Sequence, residues 1–411
     1  MALKINRRQA LSGMAAIAAA SSVPLVNVVS ARADDTVKIG LATWTEGPAL
    51  RAGRAYTRAF KTAIKYVNDR GGILGGREVE GVITSQGMTG ESAKAAALRL
   101  AQRDRVKALI GPHWAVMAPA GISVAQRYNL PFSPEQGGMW LYRQNFPGTL
   151  GLSYTARART RPHMRWAENQ GYKRVFALLA DITYNHDVER LMREIWDQAG
   201  SPVALEVMYV PFGQTDLKKE LTKVLGTNPD FIWSEEWSAP VSVSLMKTLH
   251  ELGYEGGVGV TASLTTEKLE PVPKEFSEGV YSHMDYAPDP NVPENNAFLE
   301  YWRKEWGPGE EPFRAEQSIW SQTVFLLLAM DAAGTEGDGT PEGLMKINEG
   351  MHSLQWSAPK GENVYLSKEG LGLWRQSPMV RITDGRLKVA EYLPQIPNDW
   401  LPDLPMEWDQ L

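Results

Sequence analysis

From residue 37 the chain alternates between short apolar runs and segments of helical period. Val37 to Ala42 is an apolar run with β-branched residues that ends at turn chemistry, the pattern of a buried parallel strand. After Gly47-Pro48, Tyr56, Phe60, Ala63, Ile64 and Val67 recur at helical spacing, with Arg51, Arg54, Arg58, Lys61 and Lys65 largely off that stripe. Such a helix packs its apolar face on a sheet. Gly71 and Gly72 sit where a helix stops through positive φ, and Gly75-Gly76 turns the chain into a second strand at residues 78–84.

The alternation continues. A helix is predicted over Glu91 to Asp104, with Ala93, Ala96, Ala97 and Leu100 facing inward, then a strand over Val106 to Ile110 and a short helix over Pro119 to Tyr128. Further on, strands are expected at Arg174 to Ala180, Val203 to Val210, Asp230 to Ser234 and Gly257 to Thr261. Helices are expected from Pro162 and over Asp187 to Gln198, Asp216 to Leu225, Pro240 to Leu252, Glu294 to Trp306, Arg314 to Ala333 and Pro341 to Glu349. Residues 379–392 read as a hairpin around Asp384-Gly385. Strands alternating with helices specify an α/β fold with mostly parallel sheets, in which ligands sit outside the carboxyl ends of the strands. Trp44, His113, Trp114, Glu135 and Gln136 fall in such loops and should face one cleft. Residues 181–185 are expected to be another strand-end loop, and Glu235-Glu236-Trp237-Ser238 a further one.

The order of Ile39-Gly40-Leu41, a polar loop ending in Gly47-Pro48, an amphipathic helix, the segment from Val67 to Arg77, a strand, and then residues 92–112 resembles the leucine/isoleucine/valine-binding family of periplasmic solute-binding proteins. The resemblance implies a two-lobed periplasmic-binding-protein-like fold of type I, each lobe a mostly parallel sheet with helices on both faces, with three crossovers between lobes. It implies an extracytoplasmic receptor that hands an amino acid or related amine, amide or aromatic acid to the membrane permease of an ABC importer. The expected division is 34–153 with 284–375 for lobe one, 154–283 with 376–393 for lobe two, and a Pro/Trp-rich tail at 394–411. Carried over residue by residue, the site comprises Trp114 and Ala115, then Glu135, Gln136 and Gly137, from lobe one. Tyr184, Trp237 and Ser263 come from lobe two, with Trp44, His113 and Glu236 added by their strand-end position. Two departures set this chain apart: residues 111–118 lack the serine-rich stretch that accepts an α-carboxylate, and the family's ammonium-binding acid falls on or near Ser263. Both argue against a branched-chain amino acid. The acids near the aromatic residues point to a solute with an ammonium group, because a buried carboxylate is costly unless paired.

The first 33 residues read as an export leader. Lys4, Arg7 and Arg8 form a basic start, residues 10–29 are mostly small and apolar, and Ala31-Arg32-Ala33 fits a cleavage site. Arg7-Arg8 followed by Gln9-Ala10-Leu11 looks like a twin-arginine signal, and the expected location is the periplasm. Pro24 and Asn27 interrupt the stretch, which makes it a poor spanning helix. Cleavage removes four of the 43 basic residues and none of the 48 acidic ones, taking the formal charge from −5 to −9. That argues against nucleic acid or an anionic membrane surface as partner, since both need a basic face. The absence of cysteine excludes disulfides, thiolate metal sites and cysteine nucleophiles.

Catalytic constellations are incomplete. The glycines at 71–76 follow a helix instead of opening one, which is a turn and not a phosphate loop. No histidine pair has zincin spacing and no serine stands in GxSxG, so neither a metal, a cofactor nor an enzymatic role is expected. His113 is the one histidine in a cleft loop, where a hydrogen-bonding wall is its ordinary role. The adjacent carboxylates Glu235 and Glu236 point to opposite faces if extended, so at most one enters the cleft. A ligand-sensing receptor of the same fold, or a hydrolase using cleft carboxylates, are the alternatives.

Overall fold

The computed structural model describes residues 36–394, except positions 48, 115, 136–138, 154–155, 236–238, 261–263, 265, 285, 362 and 375. It opens with β1 (Val37–Thr43), α1 (Leu50–Asn68), β2 (Val79–Ser85), α2 (Gly90–Leu98), β3 (Leu109–Ile110), α3 (Ala118–Tyr128) and β4 (Phe132–Ser133). These strands form one parallel sheet in the order β2-β1-β3-β4. Val37, Ile39 and Leu41 of β1 pack with Tyr56, Phe60 and Ile64 of α1 on one face. On the other face Gly40 leaves room for Leu100 and Val106: a Cβ there would lie 3.0 Å from Leu100 Cδ1. Both faces are thereby covered, as parallel sheets require.

The chain then enters the second lobe with α4 (Ala156–Asn169), β5 (Arg174–Ala180), α5 (Thr183–Ala199), β6 (Ala204–Val210), α6 (Lys218–Leu225), β7 (Phe231–Glu235), α7 (Ala239–Glu251), β8 (Gly257–Val260), α8 (Thr266–Leu269), α9 (Lys274–Ser277) and β9 (Tyr281–His283). Strand periodicity is clear in β5. Val175, Ala177 and Leu179 pack with Met164, Val188 and Leu191 from α4 and α5, while Phe176 and Leu178 pack with Leu221, Leu245 and Leu249 from α6 and α7.

A second crossing leads to α10 (Pro293–Trp306), α11 (Arg314–Ala333), α12 (Pro341–Ser353) and the short pair β10 (Tyr365–Leu366) and β11 (Gly372–Leu373). The buried run Trp320, Phe325, Leu326 and Leu327 of α11 joins the core beneath α1. A third crossing leads to β12 (Gln376–Thr383) and β13 (Arg386–Pro394), joined by a turn with φ +56° at Asp384 and +72° at Gly385. This hairpin completes the second sheet, in the order β13-β12-β9-β8-β7-β5-β6. The type I architecture with three crossovers is therefore present.

Local corrections to the sequence reading have physical causes. The helix expected to run to Asp104 ends at Leu98, and a π turn covers Arg99–Arg103, where the Asp104 N–H reaches Arg99 O at 3.1 Å. The strand expected over Val106 to Ile110 pairs only at Leu109–Ile110. Residues 183–185, expected in a loop, form the first turn of α5.

Candidate solute-binding site

The carboxyl ends of β1, β3 and β4 bring five side chains of lobe one together. Trp44, the first residue after β1, is 1% exposed and its ring centroid lies 4.2 Å from that of Trp114. Trp114 is 38% exposed and has φ +66°, a left-handed conformation that is uncommon for a bulky residue. Trp44 therefore backs the ring that Trp114 presents to solvent. Tyr56 of α1 completes the cluster, edge-on to His113 at 4.5 Å between centroids.

His113 is buried and its Nδ1 accepts the Glu135 backbone N–H at 2.9 Å, which places the ring proton on Nε2. Burial pushes the imidazole pKa down to about 4, against a smaller upward pull from the Glu135 charge. The histidine is neutral and, where the sequence reading expected it to face the cleft, it is buried within the lobe and hydrogen-bonds the loop after β4. The Glu135 carboxylate is equally engaged: Tyr56 Oη donates to one oxygen at 2.7 Å and Arg314 Nη1 to the other at 2.9 Å. Burial, and then the Glu135 charge, hold the Tyr56 phenol well above its usual pKa. The argument for an ammonium-bearing solute took Glu135 as an acid awaiting a cation. Its charge is instead compensated inside lobe one by a residue 179 positions away, so that argument loses its basis at Glu135.

In lobe two, Tyr184 is half-buried on the first turn of α5. Glu235, the last residue of β7, is buried and accepts the Trp233 Nε1–H at 3.1 Å. It lines a cavity of about 20 Å³ with Thr160, His163, Trp196 and Trp233, between the sheet and the helices α4 and α5, so its side chain faces the interior of that lobe. Ala115, Gln136, Gly137, Glu236, Trp237 and Ser263 lie outside the described residues. Among the described residues no group of three or more histidine, aspartate or glutamate side chains is placed to hold a metal ion.

Three residues of this site escaped the sequence reading: Tyr56 and Arg314, which hold the Glu135 carboxylate, and Gln86. Gln86 follows β2, is wholly buried, and its Oε1 accepts the His113 N–H at 3.0 Å. Its place at a strand end was the available signal.

A family model described as "Periplasmic binding protein" matches residues 36–386. The chain belongs to that family. Periplasmic binding proteins of this kind bind solutes and are not enzymes, and no helix among the described residues is long and apolar enough to cross a membrane. This periplasmic binding protein is 25% identical to Leu/Ile/Val-binding protein homolog 6 of Brucella melitensis, over 81% of this chain and 84% of that one. Among solved structures, a solute-binding protein of an ABC transporter from Rhodopseudomonas palustris in complex with p-hydroxybenzoic acid has a TM-score of 0.77 at 20% identity, covering 89% of this chain and 99% of that one. The branched-chain amino acid transporter substrate-binding protein of Streptococcus pneumoniae in complex with isoleucine has a TM-score of 0.72 at 16% identity, covering 87% and 99%. At these identities the structures establish the shared fold.

Proposed function

We propose that this periplasmic binding protein is the exported receptor of an ABC importer and that it takes a small flat aromatic solute, such as an aromatic acid, between its two lobes. The observation that carries the reading is the exposed Trp114 ring, backed by Trp44, beside an acid already neutralised by Arg314. A rigid aromatic face binds a planar ring through buried area and offset stacking, with ~0.5–1.5 kcal/mol beyond area alone for a good ring pair. A compensated carboxylate beside it supplies no countercharge for an ammonium. The p-hydroxybenzoic acid complex of a similar fold supports the same class. Tyr184 and the loops carrying Gln136, Glu236, Trp237 and Ser263 complete the wall in this reading. Solute contact with both lobes favours the closed form by its differential affinity, and closure is what the permease recognises. Residues 1–33 direct export by the twin-arginine route and are then removed.

A thermal-shift screen tests the solute class with benzoate, 4-hydroxybenzoate, leucine, isoleucine and choline. A true solute at a hundred times its Kd adds about 2.7 kcal/mol to stability. A shift with either benzoate and none with the others supports the reading; a shift with leucine, isoleucine or choline alone overturns it. Expression with the leader, followed by fractionation, tests the route: mature protein starting near Asp34 outside the cytoplasm is expected, and full-length protein retained inside contradicts it.

A further inference from the structure

We propose that Gln86 is a positioning residue: its side-chain amide holds the His113 backbone next to Trp114, and touches the Met117 side chain beyond it, and so fixes the aromatic face on which the solute lies. This rests on the reading of Trp114 as part of the solute wall.

The geometry begins with how firmly Gln86 is itself held. Its backbone N–H donates to Thr43 O at 2.8 Å, at the end of β1, and its carbonyl accepts the Ser92 hydroxyl at 2.9 Å from the first turn of α2. Ser92 belongs to a capping box with Thr89, so this end of α2 is itself locked. Gly87, at φ +62°, is required there, since a Cβ would lie 2.3 Å from Ser92 Oγ. From this fixed base the Gln86 amide reaches the loop after β3. Oε1 accepts the His113 N–H at 3.0 Å, while Nε2 lies 3.5 Å from His113 O and 3.3 Å from Met117 Sδ.

Those contacts bracket Trp114. On its amino side His113 is held by Gln86 and by the Glu135 N–H that His113 Nδ1 accepts. On its carboxyl side the Trp114 carbonyl accepts N–H groups of Met117 and Ala118, at 3.1 and 2.9 Å, where α3 begins. A tryptophan at φ +66° persists only where its surroundings over-determine the backbone, and the hydrogen bond from the His113 amide to Gln86 is part of that determination. Glutamine suits the place because it is long enough to cross from β2 and presents an acceptor to a buried N–H. A buried N–H deprived of its acceptor must find another by moving the loop.

The experiment uses the mature chain labelled with 5-fluorotryptophan and read by fluorine NMR without added solute. The Trp114 resonance is identified by its loss in Trp114→Phe. Gln86→Met keeps the reach and the burial but offers His113 no comparable acceptor, and it is expected to shift or split the Trp114 resonance while those of Trp166 and Trp196, in the core of lobe two, stay in place. Gln86→Ser replaces the methionine variant if that protein does not fold, with the same expectation of a shifted resonance. A Trp114 resonance unmoved in a folded Gln86→Met or Gln86→Ser protein overturns the proposal, and so does an equal displacement of the Trp166 and Trp196 resonances. Because the readout needs no solute, failure here leaves the aromatic-solute reading standing, and failure of the solute screen leaves this result intact.

Discussion

The Glu135 carboxylate and the Arg314 guanidinium meet at 2.9 Å with side chains only 7% and 14% exposed, joining the loop after β4 to the first residue of α11. Tyr56 donates to the other carboxylate oxygen. The pair and Tyr56 therefore tie the loop after β4 to the helices α11 and α1.

Removing one member of a buried pair leaves the other charge uncompensated, so Arg314→Met is expected to destabilise the empty protein by roughly 3–5 kcal/mol. The double variant Arg314→Met with Glu135→Gln should recover much of that loss, and Tyr56→Phe should cost about 1 kcal/mol. Urea unfolding of the four proteins checks this. Equal midpoints for the parent and Arg314→Met would show that the pair is not buried in solution.

Glu135→Gln is expected to lower the unfolding midpoint of the empty protein, because the substitution weakens two charge-assisted hydrogen bonds inside lobe one.

His113 gives a pH signature. Its pKa is pushed down to about 4 in the folded protein, below the ordinary 6.5, so the unfolded chain binds the proton first as pH falls. Its contribution is fully present above pH 6.5 and is lost as pH drops toward 4, with a slope of about 1.4 kcal/mol per pH unit from this one group. His113→Asn, whose Oδ1 can still accept the Glu135 N–H, should flatten the stability profile across that window by about that slope. Identical pH profiles for the two proteins would contradict the burial of a neutral His113.

Trp44 and Trp114 are adjacent rings with opposite expected effects. Trp44→Ala empties a buried site and should cost about 3–5 kcal/mol of stability. Trp114→Ala, at a ring open to solvent, should change stability by less than about 1 kcal/mol. Calorimetry of both variants decides it, and a larger loss for Trp114→Ala would show that this ring is core.

Most of the fold is legible because apolar periodicity changes from two to 3.6 between elements, as in β5 against α5. The start of α5 is not, for a local reason: its N-cap is Ile182, with no side-chain cap, so residues 183–185 carry no start signal. The π turn after α2 is hidden too, since Leu100 keeps its place in the inward pattern although the helix widens. In the site, the aromatic residues at strand ends stand out by position. The pairing of Glu135 with Arg314 does not, because it spans two segments that no short-range pattern connects. Gln86 is marked in sequence only by its place after β2, and its burial and its hydrogen bond to His113 reveal what it holds.

The central claim is that an aromatic solute lies on the exposed face of Trp114. Isothermal titration of 4-hydroxybenzoate and of leucine into the mature protein and into its Trp114→Ala variant tests it most directly. The account predicts that 4-hydroxybenzoate binds the parent and that its affinity falls at least about tenfold in the variant, the loss of ~1.4 kcal/mol or more expected when a stacking face is removed. Binding of leucine alone, with equal affinity in the two proteins, would contradict it.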